Sequence, residues 1–435
     1  MTDELTTTYL PRVVDGELDE LLAALPALAI EGAKAVGKTR TASERARTTY
    51  KLQDREVREV IQADEKRLLL GERPILIDEW QRFPASWDLV RDAVDDPQAF
   101  GPGSFLLAGS AEPPPNANIH SGAARIPTVR MRPLSLLERG VSTGSVSLAM
   151  LLEGNRGPLE GTTDVDLAVY VDEILRSGFP GLRHLTGRPL RTQLEGYVAR
   201  IVSRDFPEAG YRVRNPAALR RWMTAYAAAS SLTATYETIR DAASGGEADP
   251  PSRASSGPYR DTLERLWIVE PVDPWLPSRN YFKRLAQAKK HQLVDPALAT
   301  HLLRVNASTL MKGRIAGLPI ARDGTLLGGL FESLVTLDVR VYAQAAEASV
   351  SHFRTPLGDH EADLIIQPAN QEGVLAIEVK LARTIDDRDD AVRHLKWLQE
   401  RLGADLIDAI VVTTGSQAYR RSDGIGVVPL ALLGP

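Results

Sequence analysis

Residues 27–39 read ALAIEGAKAVGKT, an apolar run that leads directly into a glycine-spaced loop. The second half follows the pattern Gly32-x-x-x-x-Gly37-Lys38-Thr39, which is typical of a phosphate-binding loop. Glycines let the backbone turn tightly, so that successive N–H groups and the N-terminus of the next helix point at one anion. The stretch therefore predicts a buried strand, a phosphate-binding loop and a helix, in that order.

Two side chains of this loop have specific expected roles. Lys38 is expected to reach the β- and γ-phosphates of ATP, and Thr39 is expected to hold Mg²⁺. The other positions offer backbone N–H groups to the phosphates. The candidate nucleotide ligands in the loop are Gly32, Ala33, Lys34, Ala35, Val36, Gly37, Lys38 and Thr39.

A second apolar run, PILIDEW at residues 74–80, ends in two acidic residues. This pattern is typical of a Walker B strand. There the first acid, Asp78, orders the Mg²⁺ shell, and the second, Glu79, polarises the water that attacks the γ-phosphate. The alternative is a buried strand whose end merely reaches solvent. The preceding phosphate-loop pattern favours the Walker B interpretation, with Glu79 as the candidate catalytic base and Thr39 and Asp78 as candidate metal ligands.

A third apolar run, SFLLAGS at residues 104–110, predicts another buried parallel strand. Ser110 follows it directly and is a candidate nucleotide sensor. In an open α/β sheet the ligand lies beyond the carboxyl ends of the strands, so we expect Thr39, Asp78 and Ser110 to converge there. The alternative for Ser110 is an ordinary loop hydroxyl.

The composition excludes several kinds of site. The chain has 435 residues, enough for about two to four domains. Its 43% hydrophobic and 25% charged residues are ordinary for a soluble globular protein. It contains no cysteine, which excludes disulfides, thiolate metal sites and cysteine nucleophiles.

The N-terminal residues and the net charge bear on location and partners. Residues 1–5, MTDEL, lack the basic-then-apolar order of a signal peptide, and no apolar run is long enough to span a bilayer. We therefore expect a cytoplasmic protein with no membrane partner. The net charge of −5 gives no overall attraction to nucleic acid, so such binding requires a local basic patch.

The order of the predicted elements divides the chain into four domains. Alternating strands and helices at the start predict an α/β fold, a mostly parallel sheet wrapped by helices. Helical spacing of apolar residues then predicts a lid, and a later order of helices and a strand suits a winged helix. The predicted domains are a P-loop ATPase domain at 1–140, a helical lid at 141–210, a winged-helix-like domain at 211–320 and a C-terminal α/β domain at 321–435.

A proline-rich loop after the third strand leads to three arginines. Arg125, Arg130 or Arg132 is a candidate arginine finger, which would stabilise charge on ATP across a subunit interface. We place Arg125 among the candidate nucleotide ligands. An arginine finger acts on the nucleotide of a neighbouring subunit, so this prediction implies a homo-oligomer. The alternative for each arginine is a solvated surface position.

The winged-helix prediction rests on four segments. A helix is predicted at 217–229, a loop at 244–258, a second helix at 259–267 and a strand at 268–272. In a DNA-binding protein the second helix would be the recognition helix. The alternative is a winged helix used for protein contact.

The stretch 279–314 is strongly basic and lies beside this module. It has eight Lys or Arg residues against one acid, Asp295. A basic patch beside such a fold suggests binding to DNA phosphates, with Lys289 and Lys290 as candidate contacts, and a solvated face is the alternative. The basic residues are Arg279, Lys283, Arg284, Lys289, Lys290, Arg304, Lys312 and Arg314.

Four charged residues near the C-terminus form a candidate metal site. Asp363 lies in one predicted strand, and Glu378 and Lys380 lie at the end of the next, two residues apart and hence on one face. Glu332 lies on a predicted helix. Acids and a lysine so placed can surround divalent cations and activate water against a phosphodiester. The alternative is an amphipathic hairpin with a surface Glu–Lys pair.

With these residues the chain resembles AAA-type ATPases of bacteria and archaea that carry a C-terminal domain of unknown function with a PD-(D/E)XK nuclease-like core. The resemblance covers nearly the whole chain and implies ATP and Mg²⁺ as cofactors and a restriction-endonuclease-like fold for the last domain. By this similarity Asp363, Glu378 and Lys380 match the nuclease core, with Asp363 and Glu378 as metal ligands, and Glu332 matches its helical acid. Ala362 departs from the motif, which has proline there. The shorter supporting motifs are Gly109-Ser110, Arg132-Pro133-Leu134-Ser135, Gly178-Phe179-Pro180, Asp295-Pro296 and Phe331-Glu332.

Two functions are compatible with the sequence. The first is an ATP-hydrolysing AAA-type protein that couples nucleotide state to DNA binding or processing, with a metal-dependent nuclease site in the C-terminal domain. The second is a nucleotide-dependent signalling or interaction switch whose C-terminal domain binds without cleaving. A toxin-like or defence role fits either.

Overall fold

The computed structural model describes residues 9–109, 125–244, 252–276, 287–312, 314–315, 318–319, 326–355 and 357–435. The chain forms two compact units. The first comprises Met1–Arg132, Pro207–Tyr211 and Arg265–Trp267, and the second comprises Pro133–Phe206, Arg212–Glu264 and Ile268–Pro435.

The first unit contains a five-stranded parallel sheet. Its strands are β1 (Ala27–Glu31), β2 (Thr48–Lys51), β3 (Ile75–Asp78), β4 (Phe105–Gly109) and β5 (Thr128–Arg130), in the spatial order β2-β3-β4-β1-β5. The helices are α1 (Val14–Ala24), α2 (Lys38–Ser43), α3 (Arg55–Ala63) and α4 (Ala85–Ala93). This confirms the predicted mixed α/β fold with a parallel sheet.

The central strands are buried along their length, as the apolar runs predict. Ala27 to Ile30 in β1 and Ile75 to Ile77 in β3 are fully buried, because a parallel sheet is covered on both faces. β4 lies between β1 and β3, so the carboxyl ends of these three strands meet at one edge. Ser110, which follows β4, lies outside the described residues.

The helix after the phosphate loop is shorter than predicted. We expect it to run from Lys38 to about Arg47, but α2 ends at Ser43. The chain leaves the helix because the backbone N–H of Arg47 donates to the carbonyl of Pro74 at 2.9 Å and so begins the pairing of β2 with β3. The next helix, α3, begins as expected, since the Asp54 side chain caps it by accepting from Glu56 N–H.

The second unit combines helices with a mixed sheet. Its helices are α5 (Leu148–Leu152), α6 (Leu167–Arg176), α7 (Gly187–Arg200), α8 (Phe206–Glu208), α9 (Pro216–Ala228), α10 (Tyr236–Ala242), α11 (Arg253–Arg265), α12 (Pro296–Leu302), α13 (Ala307–Lys312), α14 (Leu326–Ala345) and α15 (Asp390–Leu402). The last residues of α8 and of α11 belong to the first unit. Within the described ranges, no helix combines the length and apolar character needed to cross a bilayer.

A seven-stranded sheet forms the C-terminal part of this unit. The strands of the unit are β6 (Val146–Ser147), β7 (Asp273–Pro274), β8 (Arg314–Ile315), β9 (Leu318–Pro319), β10 (Ala348–Arg354), β11 (Glu361–Pro368), β12 (Val374–Val379), β13 (Leu406–Thr413), β14 (Tyr419–Arg420), β15 (Gly426–Pro429) and β16 (Leu433–Gly434). The large sheet has the order β14-β15-β13-β12-β11-β10-β7, and the short pairs β16-β6 and β8-β9 lie apart from it. The predicted hairpin is confirmed, since β11 pairs with β12 antiparallel and Leu364 lies opposite Ile377.

One side of this sheet is covered by α15. Its buried residues Val392, Leu395 and Leu398 share a hydrophobic cluster with Ile365 of β11 and Val411 of β13. Asp389 caps the helix by accepting from Ala391 N–H. The same sheet presents Asp363 and Glu378 on adjacent strands, so its packing positions the predicted acidic cluster.

The region predicted as a winged helix differs in detail. Helix α11 begins at Arg253, inside the loop predicted at 244–258. The strand predicted at 268–272 is replaced by two isolated backbone pairs, Val269 with Leu293 and Val272 with Lys290. The partner is thus a segment from farther along the chain, which local patterns do not indicate. The winged helix itself stays a prediction.

Candidate functional site

The glycine-spaced loop turns between β1 and α2 as its sequence requires. Gly37 has φ 105° and Ala35 has φ 70°, both in the left-handed region. Only glycine adopts this region without strain, which explains the second glycine of the pattern. A Cβ at Gly32 would collide with the carbonyl oxygen of Met131, so the first glycine is required by close backbone approach.

Lys38 lies folded against the loop. Its Nζ donates to the carbonyl oxygens of Gly32 and Ala33, both at 2.8 Å, and the residue is 7% exposed. Burial lowers the pKa of Lys38 to about 7, against an opposing effect of the Glu79 carboxylate. An ammonium whose hydrogen-bond acceptors are carbonyl oxygens gains much from an anion, so this group is suited to binding phosphate.

Thr39 and Asp78 meet as predicted. The Thr39 hydroxyl donates to Asp78 Oδ1 at 2.7 Å, which joins the start of α2 to the end of β3. Burial raises the pKa of Asp78, and the hydrogen bond from Thr39 opposes that effect. A hydroxyl and a carboxylate at this distance are oxygen ligands of the kind that Mg²⁺ takes beside substrate phosphates.

Glu79 follows β3 in an uncommon backbone conformation. Its φ is 56° and its ψ 43°, a left-handed geometry that costs energy for a residue other than glycine. Its Oε2 accepts from Gln81 Nε2 at 2.6 Å. Trp80, 2% exposed, stacks on Trp87 with ring centroids 4.6 Å apart. The buried tryptophan pair therefore holds the turn that carries Glu79.

The three candidate arginine fingers have different surroundings. Arg125 pairs with Asp95 on the surface, Nε to Oδ1 at 2.6 Å. The Arg130 guanidinium lies over the Trp267 ring, 3.6 Å from its centroid, and its charge is one cause of the lowered pKa of Lys38. Arg132 offers its backbone carbonyl to Arg12. The Arg130 guanidinium therefore acts electrostatically on Lys38 of the phosphate loop.

Arg12 is a loop-supporting residue that our sequence reasoning missed. It is 7% exposed, and its Nη1 and Nη2 donate to the carbonyls of Val36 and Arg132, each at 2.8 Å. These bonds tie the phosphate loop to the chain after β5. The signal in the sequence is weak, because one arginine before α1 resembles any surface position.

Glu208 is a second residue that the sequence did not indicate. Its Oε2 lies 3.2 Å from Lys34 Nζ of the phosphate loop, and its Oε1 lies 3.2 Å from Arg82 Nη2 just after Glu79. One carboxylate from a distant segment thus bridges the loop and the turn after β3. It thus pairs with one cation of the loop and with one cation three residues after Glu79.

We expect that replacing Glu208 with Gln tightens the predicted binding of nucleotide about two- to fivefold. The expected gain is small because partly exposed ion pairs are worth roughly 0.2–1 kcal/mol. Lys34 would no longer be shared between a carboxylate and the nucleotide. Titration with a fluorescent ATP analogue measures the effect, and the exposed substitution Glu59→Gln is the matched control. Weaker binding by the Glu208 variant would mean that this carboxylate supports the loop instead of competing with phosphate.

The predicted C-terminal residues lie in one buried cluster, but a lysine lies among them. Lys290 Nζ is 2.7 Å from Glu332 Oε1 of α14 and 2.9 Å from Asp363 Oδ1 of β11. The other carboxylate oxygen of Asp363 accepts from Val379 N–H at 2.8 Å. Both oxygens of Asp363 therefore already have donors from the protein.

Glu378 of β12 and Lys380, which follows that strand, complete the cluster. Lys380 Nζ lies 3.8 Å from Glu378 Oε2, and His394 Nδ1 of α15 lies 3.4 Å from Glu378 Oε1. Burial raises the pKa of Glu378 well above its usual range, and the charge of Asp363 adds to that effect. Burial likewise lowers the pKa of His394.

This arrangement does not fit a divalent cation. In the part of the chain that the structure describes, no group of three or more His, Asp or Glu residues is placed to hold a metal ion. A carboxylate cage for Mg²⁺ requires oxygens at about 2.0–2.1 Å from one centre, and the Lys290 ammonium lies between the two closest carboxylates. Glu332 and Asp363 are thus brought together around the Lys290 ammonium, and Glu378 pairs instead with Lys380.

The basic stretch 279–314 does not act as one exposed face. Lys290 is 7% exposed, so the prediction that it contacts a phosphate is wrong: its ammonium is held by buried carboxylates. Lys289 is exposed and pairs with Asp273 at 3.0 Å. Arg304 and Lys312 are exposed. Arg279, Lys283 and Arg284 lie outside the described residues.

Two family models match segments that lie mostly in the second unit. Each is described as a domain of unknown function: DUF8612 over residues 168–309 and DUF4143 over residues 327–433. Lys290 lies in the first matched region, and the carboxylates that it contacts lie in the second. The lysine and the acids of the buried cluster therefore come from two separately recognised segments. A search of curated proteins finds no match.

Two solved structures are similar to the chain at low identity. The Walker-type ATPase PABY2304 of Pyrococcus abyssi is 15% identical, with 67% of this chain and 94% of that chain covered and a TM-score of 0.37. The replication initiator DnaA bound to AMPPCP and single-stranded DNA is 14% identical, with 58% and 86% covered and a TM-score of 0.23.

Proposed function

We propose that the first unit binds and hydrolyses ATP as an AAA-type P-loop ATPase. The observation that carries this proposal is the 2.7 Å hydrogen bond between Thr39 and Asp78 at the carboxyl edge of a parallel sheet. It joins the two sequence motifs that P-loop enzymes use to hold Mg²⁺ beside the β- and γ-phosphates. Glu79 follows Asp78 directly and supplies a second carboxylate at the same edge.

The residues have distinct roles in this proposal. The backbone of Gly32 to Gly37 cradles the phosphates, and Lys38 exchanges its carbonyl partners for phosphate oxygens. Thr39 and Asp78 would hold Mg²⁺, which when bound neutralises charge on the phosphates. Glu79 orients water for attack and accepts its proton. Arg130 adds positive charge near the loop, and Ser110 and Arg125 stay candidate contacts.

We further propose that the nucleotide state is coupled to DNA binding through the exposed basic residues of 279–314. Support comes from Lys289, Arg304 and Lys312, which are exposed, and from the local excess of basic residues. Lys290 takes no part, since it is buried. Phosphate contacts of this kind would make binding depend on salt. The proposal includes a homo-oligomer, because an arginine finger acts across the interface between two subunits.

Phosphate release from ATP, measured with and without DNA, tests both proposals. We expect Mg²⁺-dependent turnover by the wild type and a loss of about tenfold or more on Asp78→Asn, because the amide removes the charge that holds the ion. The exposed change Glu59→Gln is the control and should leave turnover unchanged. Turnover that Asp78→Asn does not alter would contradict the ATPase assignment. Turnover that DNA does not change would favour a switch that acts on another partner.

A further inference from the structure

Lys290 Nζ lies between the carboxylates of Glu332 and Asp363, two residues of the candidate metal site predicted from the sequence. We propose that its ammonium group permanently replaces a divalent cation in the buried cluster of Glu332, Asp363 and Glu378. The C-terminal part of the second unit then binds its partner without metal-dependent cleavage. This inference is independent of ATP hydrolysis, because it uses residues of the other unit alone.

The first support is the geometry of the ammonium. Lys290 Nζ lies 2.7 Å from Glu332 Oε1, 2.9 Å from Asp363 Oδ1 and 3.4 Å from the backbone carbonyl of Asp363. An ammonium donates three hydrogen bonds, and here three oxygens are within reach. The side chains of Lys290, Glu332 and Asp363 are only 9%, 14% and 12% exposed. The cation is therefore fully coordinated inside the protein.

The second support is the backbone that carries Lys290. Its N–H donates to the Val272 carbonyl at 3.0 Å, and Val272 N–H donates to the Lys290 carbonyl at 2.8 Å. The next residue is fixed as well, because His291 N–H donates to the Leu232 carbonyl at 2.9 Å. The lysine is thus anchored on both sides. It cannot move away without leaving buried carboxylates unpaired, which is costly.

The third support is the position of the ammonium between the acids. Lys290 Nζ lies between the Glu332 carboxylate of α14, at 2.7 Å, and the Asp363 carboxylate of β11, at 2.9 Å. The second oxygen of Asp363 accepts from Val379 N–H at 2.8 Å. A divalent cation would have to displace the lysine and compete with this backbone donor for Asp363.

The proposal is tested by counting bound Mn²⁺ by electron paramagnetic resonance on the full chain without nucleotide. Wild type and Asp363→Asn should bind the same amount of Mn²⁺ at every concentration, because Asp363 holds no ion. Any site in the ATPase unit contributes equally to both proteins. Lys290→Ala should gain one additional site, and the double variant Lys290→Ala/Asp363→Asn should lose it. Circular dichroism verifies the fold of each variant.

The melting temperature, measured with and without Mn²⁺, tests the proposal even if Lys290→Ala is less stable than wild type. Lys290→Ala should melt at a lower temperature than wild type, and Mn²⁺ should recover part of that loss, whereas Lys290→Ala/Asp363→Asn should show no recovery. The proposal is overturned if wild type loses a Mn²⁺ site on Asp363→Asn, or if folded Lys290→Ala gains none. Metal-dependent cleavage of DNA or RNA by wild type that disappears on Asp363→Asn would overturn it as well.

Discussion

Replacing Lys38 with Ala is expected to weaken ATP binding about tenfold to hundredfold and to reduce turnover below detection. Hydrogen bonds to charged groups are worth about 1.5–3 kcal/mol, and each 1.4 kcal/mol is a factor of ten in affinity. Lys38 is the buried cation of the loop, with its Nζ 2.8 Å from the carbonyl oxygens of Gly32 and Ala33. Isothermal titration calorimetry with ADP and ATP measures the loss. The exposed Lys66→Ala is the control.

The pH dependence of binding separates the charge of Lys38 from its packing. In the free protein the pKa of Lys38 is lowered to about 7 by burial, and phosphate charges would raise it in the complex. Between these two pKa values binding takes up a proton. Affinity should then fall as pH rises above 7, by at most tenfold per pH unit. Measurements from pH 7.5 to 9 avoid the titration of the phosphates themselves. Lys38→Arg should abolish this slope, and an unchanged slope would assign it to another group.

The first unit was largely predictable because its signals are local. Each central strand is a continuous apolar run, and a parallel sheet buries such runs on both faces. The motif residues follow these runs directly, so the carboxyl-edge rule places Thr39 near Asp78. The structure brings them to 2.7 Å. The end of α2 was not predictable, because the pairing of Arg47 with Pro74 is formed across the sheet.

The roles of residues from distant parts of the chain could not be predicted, because they depend on tertiary contacts. Glu208 lies in the segment FPEAG and Lys290 in the segment AKKHQ, neither of which forms a recognisable motif, and only tertiary contacts give the two residues their roles. Lys290 follows Lys289, yet Lys289 is exposed and Lys290 is buried. The difference arises from the backbone pairing of Lys290 with Val272, which turns one side chain inward and leaves its neighbour in solvent. A charge count treats the two lysines alike.

Replacing Glu79 with Gln is expected to leave ATP binding intact and to slow hydrolysis by about 10²-fold or more, the usual contribution of a general base. The amide keeps the size of the side chain and can still form a hydrogen bond with Gln81, whose Nε2 lies 2.6 Å from Glu79 Oε2. It cannot accept a proton from water. The left-handed turn that carries Glu79 is held by Trp80 and Trp87, so the substitution should not disturb the fold.

Single-turnover kinetics with radiolabelled ATP distinguish binding from chemistry in this variant. Glu79→Gln should form the ATP complex with the wild-type affinity and then release phosphate slowly, while the exposed control Glu72→Gln turns over normally. A variant that hydrolyses ATP at the wild-type rate would show that another group activates the water. A variant that binds ATP poorly would instead assign Glu79 to the nucleotide complex itself. If hydrolysis is unchanged, Asp78 is the next carboxylate to test as the base. It lies at the same edge of the sheet, and burial raises its pKa.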